Sequence, residues 1–140
     1  MKVVLDTNIV VSSYLVPVGP PAQILALWRS GALDLLVSEP ILQEYERILS
    51  SMRIAQRHRM TPAEIAEDMD GFREYAMLAE PRESLRVVEG DADDDKLFEC
   101  AVAGGASYIV SRDEQVLAVR EYRGIRVVSP EAFLALLGGA

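Results

Sequence analysis

The sequence has 140 residues, half of them apolar, with 22 acidic and 14 basic side chains and a net charge of -8. This size and apolar content predict one domain over residues 1–140 and exclude a mainly disordered chain. A single cysteine and a single histidine exclude an internal disulfide and a zinc site rich in those residues, so that any bound metal is expected to have oxygen ligands. The acidic balance disfavours nucleic-acid binding through overall charge, unless metal ions and a local basic patch reverse the sign at the site.

The N-terminal segment predicts a buried strand that ends in an acid. Val3, Val4 and Leu5 are followed at once by Asp6, and a short continuous apolar run is typical of a parallel strand. The chain enters this strand without a secretion signal, and no apolar run approaches the about 18 residues of a membrane span. We therefore expect a soluble cytoplasmic protein in which Asp6 lies at the edge where open α/β sheets bind ligands.

The next part of the chain predicts mainly helices. The runs up to residue 37 predict a helix over 9–15, a helix over 20–30 and a strand over 33–37. Ser38 is placed to cap a helix in which Glu44 flanks the apolar stripe, although a glutamate there is also compatible with ordinary surface. Thr61 begins a capping-box sequence that opens another helix, to about residue 79. Together these elements predict a helical hairpin at about 39–79.

The end of the first hairpin helix is the densest basic region, formed by Arg47, Arg53, Arg57, His58 and Arg59. Such a helix end is usually solvated surface, and it is also able to guide a polyanion. His58 is expected to be a solvated member of this region. A further strand is predicted over 85–88.

The acidic run over 91–95 opens a helix whose apolar face consists of Leu97, Phe98 and Ala101. Asp94 precedes these residues by three, four and seven positions, so that its side chain is predicted to project with the apolar face. Asp95 lies about 90° away on the helical period and is expected to be solvated. Acids in a first turn also act simply as caps, but an acid on the buried side needs a partner, and a metal ion is one. Cys100 is predicted to lie off the apolar face.

The last third repeats the pattern of a strand followed by an acid. Residues 107–110 predict a strand that leads through Ser111 to Asp113, and a final strand over 124–128 precedes a helix capped by Ser129. The alternation of strands and helices predicts an α/β fold, a three-layer α/β/α sandwich with a central, mostly parallel, Rossmann-like sheet.

Four acids from four separate elements are expected to converge at the carboxyl edge of this sheet: Asp6, Glu44, Asp94 and Asp113. Carboxylates that converge repel one another, so such a site is stable mainly with a hard cation, and Mg²⁺ or Mn²⁺ suits carboxylates and phosphate. The cation would activate water and neutralise phosphoryl oxygens, and no nucleophilic side chain is required.

The sequence resembles the PIN-domain ribonucleases, many of which are toxins of toxin-antitoxin pairs. The resemblance is carried by the segments at 4–8, 38–45, 91–101, 108–113 and 124–133. It implies a PIN-like fold and Mg²⁺- or Mn²⁺-dependent hydrolysis of RNA, in which Asp6, Glu44, Asp94 and Asp113 are catalytic metal-site acids supported by Asn8, Ser38 and Ser111. It also implies an RNA substrate, a small antitoxin as partner and a homodimer.

One motif departs from the family pattern. Relatives often have Asp-Pro-Asp-Asp-Asn where this chain has Asp-Ala-Asp-Asp-Asp at 91–95, so the third metal ligand is open between Asp93, Asp94 and Asp95. The helical phase favours Asp94.

Two other functions remain open at the level of sequence. The first is a phosphatase or phospho-acceptor domain that uses Asp6, although haloacid-type phosphatases need a second acid where this chain has Asn8. The second is a non-catalytic module that binds RNA or a protein through the basic region. In the nuclease interpretation, Arg53, Arg57 and Arg59 instead guide RNA to the acids.

Overall fold

The sheet of this α/β protein has six strands in the order β3-β2-β1-β4-β6-β5, described over residues 1–138 by a computed structural model. The strands are β1 (Lys2–Leu5), β2 (Asp34–Val37), β3 (Met77–Leu78), β4 (Tyr108–Val110), β5 (Glu121–Tyr122) and β6 (Ile125–Val128). All neighbouring strands are parallel except β5, which pairs antiparallel with β6. The predicted fold class, with a mostly parallel central sheet, is therefore confirmed.

Helices flank this sheet. They are α1 (Thr7–Leu15), α2 (Pro20–Arg29), α3 (Glu39–Leu49), α4 (Met52–His58), α5 (Pro62–Tyr75), α6 (Asp95–Gly104), α7 (Glu114–Leu117) and α8 (Pro130–Gly138), with a 3-10 turn at Ala92–Asp94 before α6. Within residues 1–138 no single helix is long and apolar enough to cross a membrane, and only α1 and α2 taken together, bent by 97°, meet that criterion.

The central position belongs to β1, which lies between β2 and β4. Val3, Val4 and Leu5 are fully buried in the core. The hydroxyl of Tyr45, on α3, donates a hydrogen bond of 2.5 Å to the carbonyl of Leu5. This contact ties α3 to the end of the central strand, where Asp6 leaves the sheet.

The strand predicted over 85–88 is wrong. Leu85 and Val88 are buried, but the segment is irregular, and the amide groups of Val87 and Val88 donate to a side-chain carboxylate in place of a neighbouring strand. The edge strand that pairs with β2 is instead β3. It forms because α5 ends at Tyr75, short of the expected residue 79. Apolar content therefore marked a buried loop, which sequence periodicity does not distinguish from a short strand.

The segment between β2 and β3 contains three helices, since α3 ends at Leu49 and α4 begins at Met52. His58 stabilises the break: its Nε2 lies 2.7 Å from the carbonyl of Leu49, and its Nδ1 accepts a hydrogen bond from the amide of Met60. Because Nδ1 is an acceptor, the ring is the tautomer that donates from Nε2. The expectation of a merely solvated histidine is therefore wrong. By contrast, the capping box at Thr61 is present as predicted.

Cys100 is fully buried, which corrects its predicted position off the apolar face. Burial raises the pKa of its thiol to about 12. The reason is tertiary, because α6 packs against three strands of the sheet, β1, β2 and β4, and this wide contact covers more of the helix than the apolar stripe alone.

Candidate metal centre

The four predicted acids lie around one open pocket of about 470 Å³ at the carboxyl edge of the parallel strands. Asp6 follows β1 and Asp113 follows β4, the strand beside it. Glu44 reaches the pocket from α3, and Asp94 from the 3-10 turn before α6. Neighbouring parallel strands end at the same edge, and this is why acids distant in sequence meet here.

Asp6 is held by hydrogen bonds on both carboxylate oxygens. Its Oδ1 accepts from the amide of Thr7 at 2.7 Å. Its Oδ2 accepts from the hydroxyl of Ser111 at 2.6 Å and from the side-chain Nδ2 of Asn8 at 3.3 Å. Burial raises the pKa of Asp6, the bonds from Ser111 and Thr7 oppose that effect, and the negative charge of Glu44 adds to it. The side chain is thus fixed in position, and its charge is only partly compensated.

Asp94 has an uncompensated oxygen inside the site. The residue is only 9% exposed, and within residues 1–138 its buried Oδ2 has no hydrogen-bond partner. Burial, together with the negative charges of Asp6, Asp91 and Asp113, raises the pKa of Asp94 to about 7. A buried polar atom without a partner is costly, so this oxygen is the feature of the site that best fits a bound cation.

Asp91, Asp94 and Asp113 each place one carboxylate oxygen so that all three lie within 4.8 Å of one another. Three carboxylate ligands, one of which has an unpaired buried oxygen, fit a divalent cation of the Mg²⁺ or Mn²⁺ type. Asp91 was missed by sequence reasoning. It opens the acidic run, and its side chain also accepts from the amide of Asp93, so in the sequence it resembled an ordinary turn residue.

Asp95 does not face solvent, which corrects the sequence-based expectation. It is 6% exposed, and its Oδ1 accepts hydrogen bonds from the amides of Val87 and Val88 at 2.9 and 2.8 Å. The helical phase predicted that Asp94 is buried and Asp95 solvated, but it did not show that the incoming loop also covers Asp95. Asp95 therefore anchors the loop that leads to Asp91.

Glu44 is engaged by three residues of the chain. The hydroxyl of Thr7 donates to its Oε2, and the ammonium of Lys96 donates to its Oε1 at 2.7 Å. Arg47 lies 3.6 Å from the same Oε1. Thr7 and Lys96 were both missed in the sequence, where nothing beyond their proximity to predicted acids, at positions 6 and 94, marked them.

The three predicted supporting residues behave differently. The Ser111 hydroxyl, besides donating to Asp6, accepts from the amide of Asp113 at 3.0 Å and so links two acids. Asn8 donates to Asp6 and accepts from the amide of Arg112. Ser38 is fully buried, and its hydroxyl neither caps α3 nor has a standard hydrogen-bond partner within residues 1–138. Ser38 thus occupies the predicted N-cap position of α3, but its side chain makes no capping hydrogen bond.

Two of the three predicted RNA-binding arginines reach the pocket. Arg53 and Arg57 line it from α4, beside the apolar side chains Val11, Leu15, Val16, Ile48 and Ile54. Arg59 is exposed, has a left-handed backbone where α4 ends, and is not among the residues that line the pocket. Arg53 and Arg57 are four residues apart on α4 and so lie on one face of the helix, whereas Arg59 lies beyond its end.

Known proteins share this architecture. The family model of the PIN domain matches residues 2–115, a range that includes all four predicted acids. The crystal structure of VapBC2 from Rickettsia felis bound to a DNA fragment from their promoter contains a chain of similar fold, with a TM-score of 0.57 and 15% identity over 91% of this chain and 97% of that chain. A search of curated protein sequences gives no significant match. Since the family model covers most of its length, the chain belongs to the PIN domain family.

Proposed function

We propose that this protein is a metal-dependent endoribonuclease. PIN domains are nucleases, and the pocket of this chain carries an acidic cluster suited to a divalent ion. The single observation that supports the proposal most is the buried Oδ2 of Asp94, which has no partner within residues 1–138 and lies beside the carboxylates of Asp91 and Asp113. A divalent cation is the group that would satisfy it.

Four aspartates have a role in binding the metal ion in this proposal. Asp91, Asp94 and Asp113 hold Mg²⁺ or Mn²⁺, with Asp6 next to them. When bound, such an ion lowers the pKa of water and neutralises phosphoryl oxygens. Ser111 keeps Asp6 and the backbone of Asp113 in register through its two hydrogen bonds. The phosphatase alternative is not favoured, because Asn8 stands where haloacid-type phosphatases need a second acid, and here its side chain donates a hydrogen bond to Asp6.

The first test is cleavage of a labelled single-stranded RNA in Mg²⁺ or Mn²⁺. We expect cleavage that EDTA abolishes and that Asp6→Asn lowers by about 100-fold or more, the usual effect of removing one charge-stabilising group from an active site. Asp34→Asn is the matched control. Asp34 is an exposed acid at the start of β2 and therefore lies at the amino edge of the parallel strands, opposite the pocket. EDTA-resistant cleavage, or equal rates for the wild type and Asp6→Asn, would contradict the proposal.

The basic wall of the pocket supports RNA as the substrate. Arg53 and Arg57 provide positive charge along the route to the acids in a chain of net charge -8. Replacing both with Gln should weaken RNA binding and reduce the slope of log K against log salt by about 1.4, since each lost single-strand phosphate contact contributes about 0.7. The double variant Arg82→Gln, Arg86→Gln removes the same charge outside this pocket and should leave the slope unchanged. Equal slopes in the two double variants would exclude the role of Arg53 and Arg57.

We further propose that the protein is the toxin of a toxin-antitoxin pair. The structural neighbour from Rickettsia felis is part of a VapBC2 assembly bound to promoter DNA. In this chain, the apolar side chains beside Arg53 and Arg57 offer a surface for a small protein next to the acids. Expression of the wild type should arrest bacterial growth, whereas Asp6→Asn should not, and equal growth of the two strains would argue against a toxin.

A further inference from the structure

The ammonium of Lys96 lies beside Glu44, one of the acids that line the pocket. Its side chain is 15% exposed, and its ammonium lies 2.7 Å from Oε1 of Glu44 and 3.2 Å from Oδ1 of Asp93. Lys96 belongs to the first turn of α6, whereas Glu44 lies on α3, so the ammonium joins two elements across the site.

Lys96 and Thr7 together use both carboxylate oxygens of Glu44. Lys96 takes Oε1, and the hydroxyl of Thr7 takes Oε2. A divalent ion at Glu44 would therefore compete with a donor that already engages each oxygen. It would also lie close to an ammonium, and at such distances two positive charges repel strongly in a partly buried site.

Asp91, Asp94 and Asp113 differ from Glu44, because one of their buried oxygens has no hydrogen-bond donor within residues 1–138. Asp91, Asp94 and Asp113 each bring one carboxylate oxygen to the same place, and the Oδ2 of Asp94 is buried without a partner in the described part of the chain. Here a cation would satisfy that acceptor, and the donors already in place, the amides of Asp93 and Gln115, each hold only the Oδ1 of Asp91 and of Asp113.

We propose that Lys96 is a positioning residue whose ammonium takes the place of a second metal ion beside Glu44, so that the site binds one divalent cation, at Asp91, Asp94 and Asp113. This inference rests on the proposed metal-dependent function. Two-metal nucleases hold their ions about 3.5–4 Å apart between shared carboxylates. In this chain a fixed ammonium supplies the second positive charge, and it holds Glu44 as an oriented acceptor that is not a metal ligand.

The test is calorimetric titration of the full chain with Mn²⁺. The wild type should bind one ion. Glu44→Gln should keep that ion with a change in Kd of less than about 3-fold, because only a neighbouring charge is lost. Lys96→Met keeps the length of the side chain but removes its charge, which frees Glu44, and this variant should bind two ions. Lys96→Arg should restore a stoichiometry of one, and the double variant Lys96→Met, Glu44→Gln should also bind one ion.

Several results would overturn the inference. They are two ions in the wild type, a loss of 10-fold or more in affinity in Glu44→Gln, and an unchanged single ion in a Lys96→Met protein that circular dichroism shows to be folded. If Lys96→Met fails to fold, the number of ions in the wild type and the affinity of Glu44→Gln still test the inference. A wild type that binds no ion would instead overturn the proposed metal centre itself, so the two failures are distinguishable.

Discussion

Asp94→Asn is expected to abolish metal binding and RNA cleavage while making the metal-free protein more stable. The carboxylate of Asp94 is buried among Asp6, Asp91 and Asp113, and these surroundings raise its pKa from 3.8 to about 7. Above that pH the folded state contains a charge that its environment disfavours. An asparagine of the same shape removes the charge, and we expect a gain of about 1–2 kcal/mol in the free energy of unfolding at pH 8, after allowance for solvent screening.

The raised pKa of Asp94 also predicts how the free energy of unfolding changes with pH. Because the pKa of Asp94 is higher in the folded than in the unfolded chain, the folded state binds the proton more tightly. The destabilisation is therefore present in full above about pH 7, and it is relieved as the pH falls toward 3.8. The raised pKa of Asp6 acts in the same direction. Wild-type stability without metal should rise between pH 8 and pH 5.5, and it should rise less in Asp94→Asn.

Urea unfolding in EDTA at the two pH values measures both effects, with Mn²⁺ titration alongside. Asp34→Asn again serves as the control, since it removes one exposed negative charge far from the pocket and should change neither quantity. A destabilised Asp94→Asn protein, or one that retains wild-type affinity for Mn²⁺, would contradict the assignment of Asp94.

Asp95→Ala is expected to have the opposite effect, a loss of about 2–4 kcal/mol in the free energy of unfolding. Its carboxylate accepts from two backbone amides, those of Val87 and Val88, in a buried position. Without it both donors lose their partner, at a cost of about 1–3 kcal/mol for each buried group. Asp95→Asn retains an oxygen that accepts both bonds, and it should lose about 1 kcal/mol or less.

Urea unfolding at a single pH measures this difference, and the cleavage assay adds a second comparison. Below its unfolding transition, Asp95→Ala should retain far more cleavage than Asp94→Asn, because none of the proposed metal ligands has been removed. An unchanged urea midpoint in Asp95→Ala would show that the loop is held by other contacts, for example by the bond from the amide of Leu85 to Glu99.

Local patterns of the sequence were sufficient to predict much of this fold. The apolar run before Asp6 indicated a central strand, and the capping box at Thr61 marked the start of a helix, because these signals depend only on neighbouring residues. Gly105 ends α6 with a left-handed backbone, a position at which glycine is the usual residue. Where strands and helices alternate, a parallel sheet follows, and its carboxyl edge brings Asp6 and Asp113 together.

The remaining features depend on contacts between distant segments, for which one sequence has no local signal. Whether Asp95 was solvated or buried depended on a loop that folds over it, and the same loop explains why the apolar residues at 85–88 are not a strand. Lys96 pairs with a residue 52 positions away in the sequence, and its role was invisible until α3 and α6 lay side by side. Neighbouring residues thus predicted most of the helices and strands, and the edge of the sheet at which the acids meet. Which of these acids have partners could be read only from the folded chain, because burial and pairing arise when separate elements pack together.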